Sequence, residues 1–144
     1  MRSDWIAGQV RVPWAEGNYD NPGKIGVRTF SAHIRGGLAI HRAPYPAAWQ
    51  VTHVRSGMGI VPIPALIPRG EEIAYEIGDE MLGWGEWDAF AGADGWKNVI
   101  PDLLEKIAEV AGKYRLGLSP APHTDERWET TRRMVKTLRD VSGD

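Results

Sequence analysis

Before residue 65, polar and apolar side chains change places at almost every step along the chain; after residue 70 the apolar ones return every three or four. In residues 9–14, Val10, Val12 and Trp14 fall on one side and Gln9 and Arg11 on the other. This predicts a strand, which Pro13 confines to an edge or an end. Residues 16–23 are dense in turn formers and are expected to be a loop. Residues 27–34 give the clearest half-buried strand, with Phe30, Ala32 and Ile34 opposed to Thr29, Ser31 and His33. Gly36 and Gly37 supply a tight turn into a third strand, residues 38–41, with Leu38 and Ile40 inward and His41 outward. Residues 49–54 form a fourth strand in one of two settings: either Trp49, Val51 and His53 face the core, or Thr52 and Val54 do. Residues 58–64 form a short fifth strand that its prolines place at an edge.

Past Gly70, Ile73, Ile77, Met81 and Trp84 recur at helical spacing, with Glu71, Glu72, Glu76, Asp79 and Glu80 over the remaining surface. Early acidic residues suit the positive end of the helix dipole. A loop rich in glycine and tryptophan follows over residues 83–95. Pro101 suits the first turn of a second helix, whose stripe is Leu103, Leu104, Ile107, Val110, Ala111 and Tyr114. Residues 116–123 read as a linker, after which Thr124 caps a last helix carrying Trp128, Met134, Val135, Leu138 and Val141. Strands first and helices afterwards predict an α+β fold: a four- or five-stranded antiparallel sheet in the N-terminal half, packed against about three C-terminal helices. At 144 residues the chain is read as a single domain, 1–144, with a β-rich part, 1–68, and a helical part, 69–144.

Composition narrows the chemistry. The absence of cysteine excludes disulfides, thiolate zinc sites and a thiol nucleophile, and points to a reducing compartment. No apolar run reaches signal-peptide length or the ~18 residues of a membrane span, so the expected location is cytoplasmic, with no membrane partner. The formal charge of −2 hides an uneven distribution. Residues 1–70 carry 8 basic and 3 acidic residues, residues 71–110 carry 2 and 11, and residues 111–144 carry 7 and 5. The basic front and acidic middle either attract one another within the fold or present a polarised surface that steers a charged partner. Size and composition are of the kind met among small proteins of phages and other mobile elements, an expectation that assigns no residue a role.

Two groups of side chains carry the candidate chemistry. If Leu38 faces Val54 and Ile40 faces Thr52, then Ala39 opposes His53 and His41 opposes Val51. His41 and His53 then lie diagonally on the outer face, joined by His33 from the neighbouring strand. Three such imidazoles hold zinc with one position open to water, or two of unlike pKa act as acid and base on a phosphodiester. The alternative is that they are ordinary polar-face residues, and no HExxH or His-x-His pattern reinforces a site. Arg28, Arg35, Arg42 and Arg55, with Arg11 and Lys24 further out, stand beside Thr29, Ser31 and Thr52. Such a face holds phosphates, with Tyr45 or Trp49 as a stacking platform for bases, or serves only to keep the chain soluble. Trp84, Trp87 and Trp96 border the glycine-rich loop, as an exposed recognition surface or as a loop folded over the core.

The acidic stretch 71–80 lacks the spacing of a calcium loop, Gly57-Met58-Gly59 lacks the context of a phosphate loop, and no Gly-x-Ser-x-Gly elbow is present. The expectation is therefore a non-catalytic binding module that engages a protein or nucleic-acid partner through Arg28, Arg35, Arg42, Trp49, Arg55, Trp84 and Trp87, with no cofactor. The rivals are a hydrolase or phosphodiesterase on His33, His41 and His53, with zinc as the one cofactor considered, and an assembly subunit that associates through an edge strand near Ile60 to Ile63.

Overall fold

A computed structural model describes residues 4–17, 22–44, 47–89, 100, 102–117, 133 and 136–137, with the backbone alone for 14–17 and 22–25. Five strands form one antiparallel sheet in chain order: β1 (Ile6–Gly17), β2 (Pro22–Arg35), β3 (Leu38–Arg42), β4 (Ala47–His53) and β5 (Gly59–Pro64). Helix α1 (Gly70–Leu82), a 3₁₀ turn (Trp87–Ala89) and helix α2 (Leu103–Lys113) follow. The α+β class and the antiparallel sheet agree with the sequence pattern. The described residues contain two helices rather than about three. The helix expected after Thr124 falls almost wholly outside them, although Arg133, Lys136 and Thr137 are helical and the Thr137 hydroxyl donates to the Arg133 carbonyl.

β1 and β2 are longer than the alternation suggested. Their ladder runs from Ile6↔Ile34 to Gly17↔Pro22, so Glu16, Gly17, Pro22 and Gly23 of the expected loop at 16–23 are strand, residues 18–21 lying outside the described ones; Pro22 is tolerated there because it opens β2. Gly36 and Gly37, at φ +55° and +89°, make the two-residue turn into β3 that their lack of a Cβ allows. The register of β3 on β4 is Leu38↔His53, Ile40↔Val51 and Arg42↔Trp49, one residue away from the pairing of Leu38 with Val54. It selects the first of the two settings for β4, with Trp49, Val51 and His53 towards the helices.

Directly paired residues share a face. Leu38, Ile40, Val51, Val61 and Ile63 therefore form one side, against Ala74, Ile77 and Met81 of α1 and Leu103, Val110 and Ala111 of α2. A bulge between Val51 and Thr52 admits the extra residue Ile60 to this core. The other face carries a second cluster of Val10, Ala32 and Ala39, bordered by Val12, Phe30, Ile34 and Val54. Phe30, Ala32 and Ile34 do share a face, as the alternation predicts, but it is the face turned away from α1.

Trp5 locks the chain start to the helix layer. It is 4% exposed, meets Tyr75 edge-on with centroids 5.8 Å apart, and donates from Nε1 to Asp79 Oδ1 at 2.9 Å. The same oxygen accepts from Arg35 Nη1 at 2.9 Å, so Asp79 joins the segment before β1, the β2–β3 turn and α1. Burial opposes ionisation of Asp79, but its carboxyl lies below the ordinary range, with the Trp5 hydrogen bond and the Arg35 charge among the interactions that lower it. Helix α2 ends in a Schellman turn: Arg115 N donates to Gly112 O at 3.2 Å and Leu116 N to Ala111 O at 2.8 Å. Arg115 holds the left-handed position, φ 58°, where glycine is usual.

Two substitutions test this packing by urea denaturation. A Cβ on Gly78 would stand 2.9 Å from two ring carbons of Trp5 and 3.0 Å from Ile40 Cδ1. Gly78→Ala should therefore destabilise by about 1–2 kcal/mol, against the ~1 kcal/mol gain that helix propensity alone assigns. Arg115→Gly should stabilise by about 0.5–1 kcal/mol, because the relief of left-handed strain exceeds the added chain entropy. A stabilised Gly78→Ala, or a destabilised Arg115→Gly, would contradict these contacts.

Candidate functional site

The register distributes the histidines. His53 pairs with Leu38 and His33 with Ile40, on the side that faces the helices, whereas His41 pairs with Ala32 and Gln50 on the other. The shared outer face expected for all three depended on the pairing that is one residue off, and the structure does not bring them together. Among the described residues no group of three or more His, Asp or Glu side chains is placed to hold a metal ion.

His41 is 2% exposed and stacks on Phe30 with centroids 4.8 Å apart. Its Nδ1 lies 2.7 Å from the Arg42 carbonyl and its Nε2 2.7 Å from Thr52 Oγ1. The carbonyl only accepts, so Nδ1 carries the proton and Nε2 accepts from the Thr52 hydroxyl. His53, 1% exposed, has the opposite arrangement: Nε2–H donates to the Trp87 carbonyl at 2.8 Å and Nδ1 accepts from Ser56 Oγ at 2.7 Å. Ser56 Oγ in turn accepts from Met58 N–H at 3.2 Å, so the serine is fully engaged and, at 1% exposed, closed to any substrate. Burial lowers the pKa of both histidines; the hydrogen bond to Arg42 opposes this at His41, and at His53 the bond to Trp87 and the charge of Asp88 oppose it while Arg55 reinforces it. His33 is exposed at the margin of α1, its ring 6.1 Å from that of Tyr75.

Trp84 and Trp87, the described tryptophans of the loop, are structural anchors. Trp87, expected at a partner surface, is instead 1% exposed, with Nε1 donating to the Met81 carbonyl at 2.7 Å and its ring beside His53. Trp84 is half-buried against the core with Lys106 Nζ 6.0 Å from its ring centroid. Trp49 packs on the core edge under the Arg42 guanidinium, 5.2 Å from the ring centroid. Tyr45 and Trp96 lie outside the described residues. The four arginines do not form one face either. Arg35 is bound to Asp79, Arg42 covers Trp49, Arg55 reaches the Asp88 main-chain oxygen, and Arg28 shares the register pair of Val12 on the face away from the helices. The attraction of basic front for acidic middle is present in Arg35–Asp79 at 2.9 Å and in Arg69–Glu72, and Lys113 from the last part of the chain pairs with Glu80 at 3.6 Å.

The polar residues that the alternation separates in the first two strands form one face on the outer ribbon. Ala7, Gln9 and Arg11 of β1 pair with His33, Ser31 and Thr29 of β2, and all six residues are exposed. The helices pack mainly on β3, β4 and β5 and leave this part of the sheet uncovered. Its sequence signal was the plain alternation in residues 9–14 and 27–34. Compared with known proteins, the chain matches no family model, no curated protein and no solved structure. No described helix is long and apolar enough to cross a membrane.

Neutral buried histidines make stability depend on pH. Their folded pKa values lie below the unfolded value near 6.5, so between the two the unfolded chain binds more protons and stability falls as pH falls. Their contribution is complete above about pH 6.5 and declines below it, by up to about 1.4 kcal/mol per pH unit for each histidine. Urea denaturation at pH 8 and pH 5.5 should show this loss. His53→Gln should lower stability at pH 8 by about 2–3 kcal/mol and flatten the pH dependence, and a wild-type stability that is level over this range would contradict the assignment.

Proposed function

We propose that this protein is a non-catalytic binding module that contacts nucleic acid through the exposed polar face of the β1–β2 ribbon. The observation that carries the reading is the alignment of Gln9, Arg11, Thr29, Ser31 and His33 as exposed register neighbours beside the helix layer. Hydroxyl, amide and guanidinium groups of this kind donate to phosphate oxygens and to base edges. Residues 22–35 contain Lys24, Arg28 and Arg35 and no acidic residue, so β2 is a basic strand in a chain whose total charge is slightly negative. β3 pairs only with Ala32 to Arg35 of β2, so the ribbon runs on as a two-stranded element beyond the rest of the sheet. The DNA major groove admits an element of that width. The internal polar groups speak for binding rather than catalysis, because His41, His53, Thr52 and Ser56 are buried and bonded to one another or to main chain.

Fluorescence anisotropy with labelled duplex and single-stranded DNA and RNA tests the proposal. Affinity should fall steeply between about 50 and 200 mM salt, and Arg11→Gln should weaken it and reduce the slope of log K against log salt by about 1. Absence of binding, or binding indifferent to salt, would remove nucleic acid as the partner.

A further inference from the structure

The sheet is apolar on both faces, and the described helices account for one of them. On the other face Val10 is 2% exposed, Ala32 5% and Ala39 0%, and His41 and Thr52 beside them are equally closed to water. The described neighbours of this cluster are Val12, Phe30, Ile34 and Val54, all from the sheet or from the turn after β4. Side chains that stand together on one layer screen each other's flanks but not their tips, so their burial requires a second layer. Helices α1 and α2 lie on the opposite side, against Leu38, Ile40 and Val51. The cover therefore comes from outside the described residues.

The longest stretch outside them follows Gly117 and carries its apolar residues at helical spacing: Trp128, Met134, Val135, Leu138 and Val141. Of the described residues there, Arg133, Lys136 and Thr137 are helical, and Arg133 and Lys136 are exposed. At about 100° per residue, the side of such a helix opposite Arg133 and Lys136 is centred on Leu138 and flanked by Met134 and Val135, whereas Glu129 and Asp140 fall with the two cations. A helix whose polar side meets water in this way needs a surface for its apolar stripe. The reach suffices. Pro120 and Pro122 favour an extended path. Residues 118–124 would span roughly 20 Å at about 3.1 Å each, against about 10 Å between packed layers.

We infer that the segment after Gly117 docks on this second sheet face, its helix laying Trp128, Met134, Val135 and Leu138 over Val10, Phe30, Ala32 and Ala39. The sheet is then the middle of three layers. A second copy of the chain is the poorer occupant, because Val10, Ala32 and Ala39 are already buried in the single chain. Residues 90–99 are poorer too: they hold Gly92 and Gly95 and no apolar stripe, and they must return to Ile100 in the core on the helix side. Docking here leaves Gln9, Arg11, Thr29 and Ser31 open on the opposite side of the ribbon, so this inference and the nucleic-acid reading stand or fall separately.

The chain contains no cysteine, so Arg133→Cys in the full chain gives a single attachment point for a nitroxide on the exposed side of the helix. In methyl spectra, Val10, Val12, Ala32 and Ala39 should lose most of their intensity on spin-labelling, while Ile77 and Val110 of the helix layer keep theirs. Leu138→Asp in the same labelled chain should restore the lost signals; where that variant does not fold, the first comparison decides alone. A spin-labelled chain mixed with an isotope-labelled chain free of nitroxide should leave every signal unchanged. The proposal is overturned if the label attenuates Ile77 and Val110 as much as Val10 or more, if it attenuates neither set, or if the mixed sample reproduces the loss at Val10, which would give the face to a second copy.

Discussion

The pairing of Leu38 with His53 across β3 and β4 decides which side chains enter the space beneath the helices. With it, Leu38, Ile40, Val51 and His53 point to α1, and Ala39, His41, Gln50 and Thr52 point the other way. A slip of one residue would exchange these sets and place hydroxyl and amide groups in the main core. The bond from His53 to the Trp87 carbonyl then follows, because only from this face does the imidazole reach the turn that leaves α1. Trp87 closes the arrangement by donating to Met81, the last buried residue of α1.

Each sheet face thus contains one buried imidazole whose two nitrogens are both occupied, in opposite tautomers. Satisfied in this way, a buried polar group costs little; deprived of one partner, it carries the full desolvation penalty. These side chains act as staples: His41 ties β3 to β4 from one side, and His53 ties β4 and its turn to the segment after α1 from the other. Asp79 does the equivalent for the chain start by accepting from Trp5 and Arg35 together. Polar side chains open to solvent are found instead on the ribbon, at Gln9, Arg11, Thr29, Ser31 and His33.

The alternation of residues 27–34 and 38–41 identifies strands, and the helical spacing of Ile73, Ile77 and Met81 identifies α1. Period two cannot say which face meets the helices when both faces carry apolar residues, as they do here with Leu38, Ala39 and Ile40 in succession. That is why His33 and His53 are mispositioned by sequence reasoning while the strand that bears each is correct; His41 lies, as expected, on the face opposite Leu38 and Ile40. Turn-forming residues from Glu16 to Gly23 mask the long β1–β2 ladder, since the pairing of Gly17 with Pro22 comes from the hairpin and not from local preference. Trp87 has the composition of an interface anchor, and its burial depends on two partners, His53 and Met81, far from it or hidden in the main chain. Pro13 marks β1 as an edge or end strand in the sequence, and the strand order places it at the edge of the sheet.

Strand order also governs how such molecules meet at high concentration. Growth of a fibril by lateral stacking needs every subunit to offer two receptive margins, one for the molecule before it and one for the molecule after. Here Pro62 and Pro64 obstruct one margin, and Pro13 interrupts the other beyond its first few residues. Main-chain pairing at the remaining short stretch therefore finds no second margin from which to propagate.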